Sequence, residues 1–130
     1  MKILFVDNDS TQQRALEWPK GIRSAYVPIY GGTVFFIKTK EDYEKAQTYL
    51  SRDKCNNLVG ISGVYSVFTD SSNDTIYLCG VFNEELSTLV HELYHITSAI
   101  LDTVGIEHGT ESGAYLIGEL MRMGSDTQES

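Results

Sequence analysis

At 130 residues the chain fits one domain, large enough to bury a core without several disulfides or metals to hold it together. A formal net charge of −8, from 10 Lys and Arg against 18 Asp and Glu, argues against a nucleic-acid backbone or an anionic membrane surface as partner, because both reward clustered cations. The two cysteines, Cys55 and Cys79, form no CxxC pair and suit buried thiols in a reducing, cytoplasmic compartment.

The chain opens with a short apolar run over 2–6 that ends at Asp7, without the long apolar stretch or small-residue cleavage site of a signal peptide. It is predicted as a buried strand. Asp7, Asn8, Asp9 and Ser10 supply turn and cap chemistry after it. No apolar run approaches the roughly 18 residues that would span a bilayer. Trp18-Pro19 and Gly21 break any regular element over 11–22, which leaves Trp18 as an anchor in the core or at its edge. Pro28 makes 25–30 an edge strand; Gly31-Gly32 marks a turn, and 33–37 is the most β-prone run, so a hairpin is expected here.

Over 38–50 the period changes. Tyr43, Ala46, Tyr49 and Leu50 recur at helical spacing among charges, with Glu41 and Lys45 one turn apart on the solvated face. Two further strand candidates, 58–69 and 75–82, flank the turn-forming residues 70–74 and predict a second hairpin.

A long helix follows. Asn83 is its expected cap, Glu84 and Glu85 suit its positive end, and Gly105 is the expected left-handed stop. Leu86, Leu89, Val90, Leu93, Ile96, Ile100, Leu101 and Val104 form an apolar stripe, while His91, His95, Ser98 and Asp102 lie on a separate polar line. A second helix is predicted from Thr110 or Glu111 to about Met123, with Gly113 and Ala114 allowing close approach to a neighbour and a polar, flexible tail over 124–130.

The chemistry concentrates in His91-Glu92-Leu93-Tyr94-His95. Two of the three histidines stand four apart, on one helix face, with a glutamate completing HExxH. Imidazole suits zinc, and a glutamate beside the first histidine can act as a general base. A catalytic zinc usually takes three protein ligands and keeps one position open. Asp102, seven residues past His95, is about 10 Å along the axis and too far to share an ion. Glu107 and His108 lie in the connecting turn. Glu111 opens the second helix, which must fold back against the first, and is the favoured third ligand, with Tyr115 one turn on.

HELYH followed by Glu111, Ala114, Tyr115 and Gly118 resembles the gluzincin arrangement, most closely the small ImmA/IrrE-type peptidases and phage-encoded minimal zincins. The resemblance spans about residues 83–123. It is not metzincin-like, since Ala99 and Asp102 stand where that pattern needs glycine and histidine; an echo of the aspzincins fails at Ser112. It implies a zinc-dependent metallopeptidase of the hydrolase class, with zinc (Zn2+) held by His91, His95 and Glu111. Glu92 would be the general base, and Tyr115 or His108 the donor to the developing oxyanion. The implied fold is α+β: a small, mainly antiparallel sheet with one flanking helix, the HExxH helix and a C-terminal ligand-bearing helix. The strand entering the motif helix, 75–81, would pair with an extended protein or peptide substrate. The alternative is a zincin-fold binding module, bacterial or phage-encoded, that engages a host protein without proteolysis.

Overall fold

The computed structural model describes residues 18–28, 30–51, 57–69, 74–105 and 111–129. The strand expected over 2–6, the turn at 7–10, Cys55, Glu107 and His108 lie outside them, as does most of the turn expected over 70–74.

The hairpin expected in the first half forms, but its first strand lies at 23–26 instead of 25–30, ending before Pro28. Strand β1 (Arg23–Tyr26) runs antiparallel to β2 (Thr33–Ile37), with Arg23 opposite Phe36 and Tyr26 opposite Thr33. Gly31 and Gly32 take φ of 80° and 98°, which side-chain-bearing residues rarely adopt, and the Val27 N–H donates to the Gly32 carbonyl across the turn. Helix α1 (Lys40–Ser51) then buries Tyr43, Ala46 and Leu50, and its solvated face carries the Lys45–Glu41 pair at 3.3 Å. Trp18 packs edge-on against Phe35 and Tyr49 and so joins the same apolar cluster.

Strands β3 (Gly63–Thr69) and β4 (Thr75–Val81) form the second antiparallel hairpin. The strand predicted over 58–69 begins only at Gly63, because Gly60 at φ 80° turns the chain first. The sheet order is β1-β2-β4-β3, and β2 pairs with β4 in parallel. The sheet is therefore mixed, with two antiparallel pairings around a parallel centre. The α1 crossover permits that centre, since parallel neighbours need a long connection between them. From Ile76 to Val81 every residue of β4 is buried, as befits a strand covered on both faces.

One correction concerns substrate pairing. The strand at 75–81 was expected to accept an extended peptide, but both of its edges are occupied, by β2 and β3. Among the described residues, the strand at that end of the sheet with an open edge is β3. Its burial alternates residue by residue along most of its length, the mark of a half-covered edge strand.

Helix α2 (Leu86–Val104) ends as predicted at Gly105, left-handed at φ 76°, whose N–H reaches the Asp102 and Leu101 carbonyls. Its start differs. Glu85 is the cap residue, with no side-chain cap bond, and Glu84 takes a φ of 57°. Asn83 instead accepts the Glu85 N–H at 3.1 Å and donates to Thr88 Oγ1 at 2.9 Å, closing a turn ahead of the helix. Of the expected stripe, Leu89, Leu93, Ile96, Ile100 and Leu101 are buried, whereas Leu86, Val90 and Val104 are exposed.

Helix α3 (Glu111–Glu129) runs six residues beyond its expected end at Met123. Gly124 reads as a stop in sequence but is a contact in space. A Cβ there would stand 3.0 Å from Leu89 and from Phe36, while one on Gly113 would meet Leu101 at 3.3 Å. Those two crossings set α3 antiparallel to α2. Ala114, expected beside Gly113 at the crossing, is exposed.

The result is three layers. Val34, Phe36, Tyr77, Cys79 and Val81 pack under α2 and α3 on one face of the sheet, and Phe35, Ile37, Ile76 and Leu78 pack against α1 on the other. Among the described residues no helix is long and apolar enough to cross a membrane.

Candidate metal centre on helix α2

Packing selects which faces of α2 are free. Leu93, Ile96 and Ile100 point into the core, and Leu101 meets Gly113 of α3. At about 100° per residue, His91 falls opposite the buried stripe, and His95 is turned from there toward the edge strand β3. On β3, Gly63 and Tyr65 face α2, while Ser66 faces α1 and shares a hydrogen bond with the Tyr43 hydroxyl. His95 and Glu92 therefore lie on the side of α2 that meets β3, and His91 stands more exposed beside them.

The three motif residues are brought together. The His91 and His95 rings lie 4.9 Å apart, centroid to centroid, and cross at 75°. Two imidazoles each binding one ion at about 2.0–2.1 Å would put their centroids roughly 5 Å apart, a separation this pair shares. Glu92 sits beneath them, 6% exposed, with its Oε2 4.0 Å from His91 Nε2. Burial raises its carboxyl above the ordinary carboxylate range, and the two neighbouring histidines pull it partly back.

Two contributors come from β3 and have no motif. Gly63 leaves room for Glu92: a Cβ there would stand 2.9 Å from Glu92 Oε2 and 3.1 Å from its Cγ. Tyr65 stacks flat on His95, 4.9 Å away at 8°. An isolated glycine in a strand is the one sequence sign that another group approaches closely. Beneath the site lies Cys79, its thiol pushed far up by burial and, secondarily, by the Glu92 charge.

The expected third ligand, Glu111, is not gathered with the pair. Glu111 is the first residue of α3 and is exposed, and Tyr115 is 47% exposed. Both lie about 160° around α3 from Gly113, opposite the line of Gly113, Leu116, Leu120 and Gly124 that packs inward. Among the described residues no three His, Cys, Asp or Glu side chains gather closely enough to hold a metal ion. Asp102 is exposed near the end of α2, and His108 belongs to the segment outside the described residues.

Compared with protein-family models, curated proteins and solved structures, the chain matches none of them.

Proposed function

We propose that the chain is a zinc-dependent hydrolase of peptide bonds, a minimal zincin of the gluzincin type. The observation that carries this reading is Glu92: a carboxylate buried between a backbone and two clustered imidazoles, on the helix that bears both. A carboxylate buried without a hydrogen-bonded partner is costly to the fold and so points to a task, and raised proton affinity suits a general base that must hold a proton and hand it on.

His91 and His95 would hold a zinc ion, and when bound it would supply a Lewis acid and lower the pKa of a water toward about 7. Glu92 would hold a proton on its carboxylate and pass it to the leaving amine. Glu111 and His108 are the candidates for the third ligand, and Tyr115 and His108 for donation to the oxyanion. An extended peptide would add to the edge of β3 that is open among the described residues, beside His95, held by main-chain hydrogen bonds.

A second reading, a binding module that keeps the fold without hydrolysis, is favoured by one observation: no third ligand joins the pair among the described residues. Elemental analysis separates the two. Wild type should carry about one zinc per chain, and the loss of zinc from either Glu111→Ala or His108→Ala identifies the third ligand. No zinc in the wild type after reconstitution would remove the hydrolase and leave the binding module.

A further inference from the structure

His95 is held by rings. Among the described residues its imidazole meets Tyr65 face to face, His91 edge-on at 4.9 Å and Tyr94 edge-on at 6.1 Å. Tyr94 is its neighbour on the same helix and is 58% exposed, so it offers no fixed wall. Tyr65 comes from another element and can fix the plane of the ring against α2.

A metal-binding imidazole is commonly oriented by a hydrogen bond from its second nitrogen to a carboxylate or carbonyl. A flat stack achieves orientation differently. Both ring nitrogens lie in the imidazole plane, so covering one face sets the plane and leaves both nitrogens free. The wall itself is fixed. Gly63 rests against Glu92 two residues before Tyr65, and Ser66 is tied to Tyr43 and to Gln47 Oε1 of α1 directly after it. Tyr65 also pairs with Cys79 in the centre of the hairpin. A slip of one residue along β4 would carry Tyr65 to the α1 face, and these contacts oppose it.

We propose that Tyr65 is the positioning residue of this site, its ring holding the His95 imidazole in the plane that turns a nitrogen toward the space beside His91. The consequence for metal rests on the zinc reading; the geometry does not. Tyr65 touches neither a reacting atom nor the metal, and acts through His95.

The test uses Tyr65→Phe, which keeps the stack and removes the hydroxyl, and Tyr65→Thr, which keeps a strand-forming residue and removes the ring. Tyr65 is 40% exposed, so neither change opens the core. Two quantities are read: the His95 ring-proton chemical shifts of the metal-free protein, and the zinc dissociation constant by competition with a chelator. In Tyr65→Thr the ring protons should lose the ring-current shift of the stack, and zinc should bind roughly 10-fold more weakly, as for loss of other groups that orient ligands. Tyr65→Phe should match wild type in both. Wild-type ring shifts in Tyr65→Thr would overturn the proposal, and so would altered shifts with unaltered zinc affinity. If the wild type binds no zinc, the hydrolase reading fails by itself, and the ring shifts alone decide whether Tyr65 sets the plane of His95.

Discussion

Glu92 Oε2 lies 2.9 Å from the point where a Cβ on Gly63 would stand, and Thr88 Cγ2 lies 2.5 Å from the same point. The motif helix thus rests directly on the backbone of the edge strand. Gly63→Ala must push α2 and β3 apart or swing Glu92 out of place, and should destabilise the fold by about 1–3 kcal/mol, as overpacking does. Urea denaturation measures it; an unchanged midpoint would mean that the Glu92 and Thr88 side chains yield without cost.

Glu92→Gln keeps the shape of the side chain and removes its charge. Hydrolysis should fall by roughly 10²- to 10⁴-fold, the usual contribution of a general base, with zinc still bound. Undiminished hydrolysis of a peptide library would remove Glu92 from the chemistry.

The same residue sets a pH dependence in the metal-free protein. Its carboxyl is raised in the folded state above the ordinary value of 4.5, chiefly by burial. Between those two values the folded chain binds more protons than the unfolded chain, so stability falls as pH rises through that window. It is fully present below the ordinary value. Glu92→Gln should flatten this slope and be at least as stable as wild type at neutral pH. Thermal melts of both proteins at several pH values check it, and parallel curves would contradict the assignment.

Cys79 is fully buried and its thiol is held protonated. In a Cys55→Ser background, iodoacetamide should leave the native protein unmodified and label it fully in denaturant. Mass spectrometry reads the outcome; rapid native labelling would show that the layer beneath the HExxH helix opens readily.

Gly105 ends α2 at φ 76°, with nothing within 4 Å of a built Cβ. Gly105→Ala therefore isolates backbone strain from any clash, and should cost about 1–2 kcal/mol in a denaturation experiment. A smaller loss would mean that the helix end unwinds to relieve it.

Local signals carried much of this far. Glycine at a helix end, glycines at a tight turn and the change of period after Ile37 each act within a few residues, and α1, the β1–β2 hairpin and the stop at Gly105 follow from them. The motif pair was equally local, since i and i+4 share a face whatever surrounds them. Pairing across the sheet was not. The alternation of β3 and the burial of β4 suit several strand orders, and nothing along the chain marks β2 and β4 as parallel neighbours. Gly124 carries the same letter as Gly105 but serves α3 by its contact with Leu89 and Phe36, which sequence spacing does not encode. The stacking of Tyr65 on His95 joins residues 30 apart in the chain, and Glu111 was favoured because its helix must fold back on the first, before the face it occupies could be known.

The parallel junction of β2 and β4 has a consequence for the order of assembly. Thr33 pairs with Ile76, so the centre of the sheet closes only when a long loop has been gathered, whereas the β3–β4 hairpin and α2 form one continuous stretch from Gly63 to Gly105. Loop closure of that length slows folding more than it weakens the folded state. Contact order thus predicts that Gly63, Tyr65, Glu92 and both histidines come together before β1, β2 and α1 dock, with that docking the slower step.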